Sequence, residues 1–307
     1  MIAVEGLTRR FGDVVAVDHV SFEVARGEVF GLLGPDGAGK TTLFRMLSAI
    51  LALDEGTARI AGADIRTESE RVKSVIGYMP QSFTLYQDLT VEENLRFIAE
   101  VYSVPRNELA ARMERLLAFS RLTPFIGRLA EHLSGGMRQK LALAATLLHE
   151  PEVLLLDEPT TGVDPVSRRE FWQILYDLHR AGKTVVVATP YMDEAERCTR
   201  VALMHQGRVL IVDTPSALKA QLHGTVLEVL ASPRRAALAV ARALAVVRHG
   251  SIFGPALHLV VPTEEAAPQI ESALQQQGIA VEGIRPIEPS LEDVFVALLS
   301  PRSTHGH

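Results

Sequence analysis

The sequence has little of what would place it in several large protein classes. It contains one cysteine, Cys198, so an internal disulfide framework is excluded. The formal net charge of −6 argues against general binding to nucleic acid, which attracts basic proteins. No apolar run approaches the length of about 20 residues that a membrane span requires, although 47 % of the residues are hydrophobic. The hydrophobic residues therefore predict a folded core.

Short apolar blocks are the main hydrophobic feature of the chain. Residues 153–156 and 185–188 are uninterrupted apolar runs of strand length, which are typical of parallel strands covered on both faces. The first residues lack a basic segment followed by an apolar one, so no secretory signal is evident. These features predict a cytosolic location.

Residues 34–41 read GPDGAGKT and fit the phosphate-loop pattern at every fixed position. The preceding residues, 28–33, predict a buried strand, and the following residues, 42–47, predict an amphipathic helix. A chance match in a chain of this length has a probability on the order of 1 %. Glycines leave backbone amides free to surround phosphates, Lys40 neutralises phosphate charge, and Thr41 can offer a hydroxyl to magnesium.

Two adjacent carboxylates follow the apolar block at residues 153–156. Asp157 and Glu158 would stand at the carboxyl end of a buried strand, where open α/β sheets place their ligands. Asp157 is the candidate magnesium ligand, and Glu158 is the candidate for polarising the attacking water in phosphoryl transfer. A surface turn with two solvated acids is the weaker interpretation, because Pro159 and Gly162 end the strand where the site is predicted.

A serine and two glycines precede this strand in the sequence. Ser134, Gly135 and Gly136 stand before an apolar run and predict a helix start whose free amides favour an anion. By itself such a triplet is more often an ordinary helix start. Together with the phosphate loop and the acid pair, it narrows the possibilities to one family.

On these three motifs, the chain resembles the ATP-binding subunits of ABC transporters over residues 1–220. The resemblance implies ATP and Mg²⁺ as cofactors and ATP hydrolysis as the activity. It also implies that Gln81 contacts the metal and the attacking water, and that Phe11 stacks on adenine. Asp164 would lie in a loop that crosses to a neighbouring subunit.

The candidate site residues fall into three groups. The candidate nucleotide-binding residues are Phe11, Gly34, Pro35, Asp36, Gly37, Ala38, Gly39, Lys40, Thr41, Thr42, Ser134, Gly135, Gly136 and Asp164. The candidate metal ligands are Thr41, Gln81 and Asp157, and the candidate catalytic residues are Glu158 and Gln81.

One position departs from the family pattern. Pro190 stands in the run VATPYMDEAE, at the place where the family has a histidine that contacts the γ-phosphate. Proline has neither a side-chain donor nor an amide proton, so it cannot replace that histidine. One interpretation is a good helix start, with Thr189 as cap and Pro190 as first residue, in a slightly slower enzyme. We favour a site that hydrolyses ATP poorly, because removing one charge-stabilising group costs roughly a hundredfold in rate.

The expected fold class is α/β. It is a P-loop ABC cassette with a mixed, mainly parallel sheet flanked by helices, antiparallel strands and a helical subdomain, followed by a small C-terminal α+β domain. The cassette would span residues 1–220, with an antiparallel strand pair turning at Gly12 and the helical subdomain at about 82–150. Residues 221–300 predict three strands alternating with three helices, and residues 301–307 predict a flexible tail.

The resemblance also implies partners. Residues 289–295 are similar to the C-terminal segment of ATPases that serve ABC-2-type exporters. Pro190, Asp36 in place of the usual asparagine, and residues 78–81 are similar to the first ATPase half of two-ATPase bacterial exporters. These likenesses imply an exporter subunit at the cytoplasmic face of the inner (plasma) membrane, working with a multi-span membrane permease and a second ATPase subunit, identical or different. Residues 83–86 are a candidate contact surface for the permease.

An alternative function stays open. The chain could be a non-transport ABC ATPase that acts as a mechanical switch in translation or DNA maintenance. Such proteins normally carry two cassettes or a long heptad insertion, and neither is visible in the sequence. We therefore favour transport, with no nucleic-acid partner.

Overall fold

The computed structural model describes residues 1–82 and 85–299. The chain divides into two compact units, the first ending at Val212 and the second beginning at Asp213. The candidate contact stretch at residues 83–86 lies partly outside the described residues, and the predicted tail at residues 301–307 lies wholly outside them. No described helix has both the length and the apolar character needed to span a membrane.

The first unit is built from strands and helices that alternate over most of its length. Its strands are β1 (Ile2–Phe11), β2 (Val14–Val24), β3 (Val29–Leu33), β4 (Glu55–Ile60), β5 (Ala63–Asp64), β6 (Ile76–Met79), β7 (Val153–Asp157), β8 (Thr184–Thr189), β9 (Arg200–His205) and β10 (Arg208–Asp213). Its helices are α1 (Lys40–Leu47), α2 (Ser69–Val75), α3 (Val91–Val101), α4 (Arg106–Ser120), α5 (Gly135–Thr146), α6 (Pro165–Arg180) and α7 (Met192–Ala195).

Two sheets organise this unit. One has the strand order β2-β1-β4-β5 and is antiparallel, with Phe11 opposite Val14 across the β1–β2 turn, which confirms the predicted strand pair. The other has the order β10-β9-β3-β8-β7-β6. Within it β9, β3, β8, β7 and β6 run parallel, and β3, β7 and β8 are buried along their whole length. This is the doubly covered pattern that their apolar blocks predict.

The parallel sheet brings four loops to one edge. β3 ends at Leu33 directly before the phosphate loop, and its neighbour β8 ends at Thr189. β7 ends at Asp157 beside β8, and β6 ends at Met79 beside β7. Because the carboxyl ends of parallel strands meet at one edge, segments far apart in the sequence face the same space.

The start of α7 differs from the expected one. Thr189 is the last residue of β8, where its carbonyl accepts a hydrogen bond from the Gly34 amide at 3.4 Å. The Thr189 hydroxyl accepts from the Tyr191 amide at 3.0 Å, and the helix begins only at Met192. The expectation that Thr189 caps a helix beginning at Pro190 is therefore wrong, because strand pairing holds Thr189 in the sheet.

The second unit contains a four-stranded antiparallel sheet with the order β12-β13-β11-β14. These strands are β11 (Thr225–Ser232), β12 (His249–Phe253), β13 (Ala256–Val261) and β14 (Ala280–Ile287). The helices are α8 (Pro215–Ala220), α9 (Arg234–Arg242), α10 (Ala267–Gln276) and α11 (Leu291–Leu299). Leu227, Leu257 and Ile270 are among the residues of its own apolar core.

The sequence pattern missed strand β12. Its only large apolar side chains, Ile252 and Phe253, are both exposed, so the strand carries no alternation between a buried and a solvated face. Pairing with β13 holds it in the sheet, with Phe253 opposite Ala256 across the turn. A partner strand thus supplies what the local sequence does not.

Candidate functional site

A pocket of about 540 Å³ opens where the phosphate loop, β6 and β7 end. That volume falls in the range of small-molecule sites, about 300–1,000 Å³. The sequence-predicted residues that line it are Asp36, Gly37, Ala38, Gly39, Lys40, Thr41, Thr42, Gln81 and Glu158. The structure therefore gathers three separate sequence motifs around one cavity.

The phosphate loop has the backbone shape that its glycines allow. Gly39 precedes α1 with φ of 103°, in the left-handed region, and a Cβ atom there would lie 2.3 Å from the carbonyl oxygen of Ala16. Any other residue would be both strained and in collision. Helix α1 begins at Lys40, so its free amides and the positive end of its dipole lie beside the pocket.

The Lys40 ammonium group is buried at the base of this loop. It donates to the carbonyl oxygens of Gly34 at 2.8 Å and Pro35 at 3.1 Å, and lies 3.2 Å from Glu158 Oε1. Gly34 and Pro35 therefore contact the lysine and are not among the residues that line the pocket. The positive charge stands directly between the phosphate loop and the carboxylate that follows β7.

Glu158 is fixed from several directions. Gln81 Nε2 donates to its Oε2 at 2.9 Å, and the Thr161 hydroxyl approaches the same oxygen at 3.3 Å. Its amide donates to the carbonyl of Ala188 at 2.9 Å, and its φ of 50° lies in the left-handed region. Such a backbone conformation is uncommon for a residue with a side chain, and it places the carboxylate where Gln81 and Lys40 reach it.

Asp157 is completely buried, and both its carboxylate oxygens lack a hydrogen-bond partner among the described residues. Burial raises the pKa of Asp157 above its ordinary value, and the nearby Thr41 hydroxyl opposes the rise. An unpaired buried carboxylate is unfavourable unless a cation compensates it. The pair of Asp157 and Thr41 thus offers oxygen donors of the type that Mg²⁺ prefers, and these residues fit that ion.

Sequence reasoning missed Tyr78 as a neighbour of Asp157. The Tyr78 hydroxyl is buried, and its pKa is raised to about 12 by burial and by the negative charge of Asp157. The phenol therefore keeps its proton beside the carboxylate. No motif marks Tyr78, because the pairing of β6 with β7, which places it opposite Leu155, exists only in the folded sheet.

Other lining residues were also missed. Val14, Val15, Ala16, Gln206 and Gly207 form part of the pocket wall. The Gly207 amide donates to the carbonyl of Ala38 at 3.0 Å, which joins the turn after β9 to the phosphate loop. Exposed valines at the start of a strand carry no chemical signal in the sequence, so only the fold reveals their position.

Phe11 stands at the edge of the site. Its side chain is 48 % exposed, and the Arg9 guanidinium lies 4.9 Å from the ring centroid. Phe11 is not among the residues that line the pocket, whereas Val14, its partner across the β1–β2 turn, is. The aromatic ring is therefore a neighbour of the pocket, with one face turned to Arg9.

Ser134, Gly135, Gly136 and Asp164 form a second cluster away from this pocket. Ser134 caps α5 by accepting from the Met137 amide at 3.3 Å. Asp164 caps α6 by accepting from the amides of Val166 and Ser167, both at 3.0 Å. A Cβ atom on Gly136 would lie 2.5 Å from Cβ of Ser167, so the two helix starts touch. None of the four predicted residues lines the pocket.

Pro190 follows Thr189 at the sheet edge and is partly buried. Among the residues that line the pocket, none is a histidine. The family pattern has a histidine at the position of Pro190, and no other described residue of the pocket lining supplies an imidazole in its place.

A phosphate loop at the end of β3, a buried carboxylate at the end of β7, one strand further along the sheet, and a lysine between them define the site of a P-loop nucleoside triphosphatase fold. The ABC transporter family profile matches residues 17–161, and the profile of the C-terminal domain of DrrA1-3-like ATP-binding proteins matches residues 214–299. The chain belongs to the ABC transporter family of ATP-binding proteins.

The relatives include two ATP-binding proteins with different coverage. The chain is 43 % identical to the probable multidrug ABC transporter ATP-binding protein YbhF of Escherichia coli (strain K12), over 99 % of this chain and 53 % of that protein. It therefore spans about half the length of that relative. It is 36 % identical to the daunorubicin resistance ATP-binding protein DrrA2 of Streptomyces coeruleorubidus, over 98 % of this chain and 96 % of that protein.

A solved structure shares the fold of most of this chain. The dimeric ATP-binding cassette MJ0796 in a post-hydrolysis state, bound to ADP and Pi, is 26 % identical to this chain with a TM-score of 0.63. The match covers 70 % of this chain and 98 % of that one. The similarity is thus to a complete nucleotide-binding cassette.

Proposed function

We propose that the chain is the ATP-binding and ATP-hydrolysing subunit of an export system and energises a partner membrane permease. The observation that carries the proposal is the convergence of Lys40, Gln81 and Glu158 on one pocket, beside the buried Asp157, whose carboxylate oxygens have no hydrogen-bond partner among the described residues. The names of the relatives, a multidrug transporter protein and a daunorubicin resistance protein, support export as the process.

The pocket supplies the contacts that a nucleoside triphosphate needs. The amides of the phosphate loop and of α1 would surround the β- and γ-phosphates, and Lys40 would neutralise their charge. Asp157, Thr41 and Gln81 would hold Mg²⁺, which neutralises charge on the phosphate oxygens when it is bound. Lys40 lies 3.2 Å from Glu158, so the γ-phosphate would compete with that carboxylate for the ammonium group.

Glu158 is the residue that would activate water. Once the Lys40 ammonium group pairs with a phosphate, the Glu158 carboxylate would be free to accept a proton from a water molecule in line with the γ-phosphate. Its hydrogen bond from Gln81 at 2.9 Å would orient the carboxylate and link it to the loop after β6. A change at Glu158 during hydrolysis would therefore alter its hydrogen bond with Gln81, which begins the segment that leads into the helical region.

The substitution at Pro190 would weaken hydrolysis in this chain's own site. No histidine is among the described residues that line the pocket, so no imidazole there would replace the missing donor to the γ-phosphate. We expect the Pro190→His variant of the full chain to raise ATP turnover by about 10- to 100-fold, measured as phosphate release. The matched control is Pro190→His combined with Glu158→Gln, which should lose that gain. Equal turnover of the Pro190→His variant and the wild-type chain would contradict the weakened site.

A second ATPase subunit would complete the nucleotide site. Ser134, Gly135, Gly136 and Asp164 lie at two touching helix starts and line no part of this chain's pocket. Facing the nucleotide of an opposing subunit, the amides at Gly135 and Gly136 would bind its γ-phosphate. The closed pair would then drive the permease, provided that its contacts with the permease differ from those of the open pair.

A groove beside β6 is a suitable contact surface for the permease. It has a volume of about 490 Å³ and is lined in part by Ile50, Val101 and Tyr102, which are exposed, and by the charged Glu70 and Lys73. Tyr78 also lines the groove, and this residue is three positions before Gln81 in the sequence. A permease element seated there would be connected to the nucleotide site through β6, with the chain held peripherally at the cytoplasmic face of the membrane.

The transport assignment is tested by reconstitution. The full chain should bind liposomes that contain its multi-span partner permease and should hydrolyse more ATP there than with empty liposomes. The Val101→Glu variant should lose binding and stimulation, while a Leu210→Glu change at an exposed position outside the groove should keep both. Failure to bind the permease, together with co-sedimentation with ribosomes or DNA, would favour the mechanical-switch alternative.

A further inference from the structure

Glu194 is a fully buried carboxylate that the proposed function does not use. It lies in the short helix α7, and its exposed fraction is 0 %. A carboxylate in such a place is unfavourable unless hydrogen bonds and an opposite charge compensate it. The chain supplies both, and it supplies them from segments that border the nucleotide pocket.

Two buried threonines donate to the two oxygens of Glu194. The Thr160 hydroxyl donates to Oε1, and the Thr189 hydroxyl donates to Oε2 at 2.8 Å. Arg168 of α6 places its Nε 3.6 Å from Oε1 and covers the ring of Tyr191 at 4.4 Å. The carboxylate therefore joins the loop after β7, the end of β8 and helix α6.

These segments carry the groups that would act on ATP. Thr160 lies two residues after Glu158, and the Glu158 amide donates to Ala188 at the end of β8. The carbonyl of Thr189 accepts from the amide of Gly34, which begins the phosphate loop. A shift of either threonine would thus move Glu158 relative to the phosphate loop.

We propose that Glu194 is a positioning residue for ATP hydrolysis, whose two carboxylate oxygens clamp the loop after Glu158 to the end of β8. The clamp matters in this chain because Pro190, next to Thr189, donates nothing to the phosphate. The alignment of Glu158 then depends on how firmly the two strand ends are held together. The inference rests on the proposed role of Glu158 and adds a residue that touches neither nucleotide nor water.

The Glu194→Gln variant tests the clamp. Glutamine has nearly the same shape but only one acceptor oxygen, so one threonine hydroxyl loses its acceptor and faces an amide nitrogen that can only donate. Single-turnover hydrolysis of radiolabelled ATP by the full chain should slow by about tenfold or more, since a small misplacement of a reacting group has such effects. The Kd for a fluorescent ATP analogue should change less than about threefold. The Thr189→Val variant should behave alike, and the double variant should be little slower than the slower single one.

Controls separate positioning from stability. Asp193→Asn changes the neighbouring carboxylate, whose side chain is 63 % exposed, and should keep the wild-type rate. Urea unfolding followed by the single tryptophan, Trp172 on α6, should show a folded Glu194→Gln variant. An unchanged hydrolysis rate, or a rate and an affinity that fall together with the unfolding midpoint, would overturn the inference.

The Glu158→Gln variant keeps the two assignments distinguishable. If it slows single-turnover hydrolysis and Glu194→Gln does not, only the role of Glu194 is overturned. If Glu158→Gln keeps the wild-type rate, the proposed role of Glu158 is wrong, and the positioning role of Glu194 fails with it.

Discussion

At the scale of single residues, Asp157 shows a conflict between stability and binding. Its carboxylate is completely buried with no hydrogen-bond partner among the described residues, and burial raises its pKa. A core designed for stability would place an apolar or paired group there. A site for a divalent cation needs the opposite, a carboxylate kept free of internal partners until the ion binds.

Replacement of Asp157 should therefore stabilise the metal-free protein. We expect Asp157→Asn to raise the free energy of unfolding of the first unit by about 1–3 kcal/mol near neutral pH, because an unpaired buried charge is removed. The measurement is urea unfolding followed by Trp172 fluorescence in the presence of a chelator. The same variant should lose the stabilisation that Mg²⁺ with ATP gives the wild-type chain. A variant less stable than the wild type would show that the Asp157 carboxylate does not destabilise the metal-free protein.

The pH dependence of this difference has a defined sign. The folded pKa of Asp157 is raised above its ordinary value of 3.8, so the folded state binds the proton more tightly. The resulting stability is present below the ordinary pKa and is lost as pH rises through the folded pKa. The advantage of Asp157→Asn should thus shrink as pH falls. Asp164→Asn is the control with the opposite sign, because a hydrogen bond with Ser167 lowers the pKa of Asp164.

At the scale of elements, the contact between α5 and α6 explains why two adjacent glycines are not equivalent. A Cβ atom on Gly136 would lie 2.5 Å from Cβ of Ser167, which belongs to α6. A Cβ atom on Gly135 would meet only the carbonyl oxygen of Gly162, at an ordinary 3.6 Å. The close approach of the two helices thus requires a glycine at position 136. At position 135 there is room for a side chain.

We expect Gly136→Ala to lower the free energy of unfolding by about 1–3 kcal/mol, since the two helices must move apart. Gly135→Ala is the matched control and should leave stability unchanged or raise it by up to about 1 kcal/mol, because alanine favours a helix more than glycine does. Thermal unfolding of both variants measures the difference. Ser167→Gly should partly restore the stability of Gly136→Ala, and equal effects of the two alanines would exclude the steric explanation.

At the scale of the whole molecule, the two clusters of site residues are proposed to bind different nucleotides. The pocket with Lys40 and Glu158 would bind this chain's own nucleotide, and the cluster at Ser134 would bind a neighbour's. In this proposal, Pro190 would weaken the first cluster and leave the second intact. The proposed assembly is therefore asymmetric in its hydrolysis, even though both subunits would contribute to each closed site.

This asymmetry predicts unequal effects in the assembled transporter. Ser134→Arg should lower total ATP turnover by about tenfold or more, because a bulky charge would block the neighbour's site. Glu158→Gln should lower it by less than about twofold, since this chain's own site contributes little. Steady-state phosphate release of the purified complex measures both. Ser272→Arg, at an exposed position of α10, is the control for added charge. Equal losses for Ser134→Arg and Glu158→Gln would argue for two equivalent sites.

The sequence by itself determined the class of the protein, its family and the residues at the phosphate loop and acid pair. Each of these rests on short motifs. The residues within a motif are close together in the sequence, so they are also close together in the folded site. The apolar blocks at residues 153–156 and 185–188 also predict buried parallel strands, because a run of local side chains decides burial on both faces.

Only the tertiary structure decided which separate segments meet. The order of the parallel strands places Tyr78 beside Asp157, brings Gln81 to Glu158, and joins Thr160 to Thr189 through Glu194. It also shows that Ser134 lies outside this chain's own pocket. These contacts join residues distant in the chain, and their geometry follows from strand order and helix packing, which no local pattern of residues encodes.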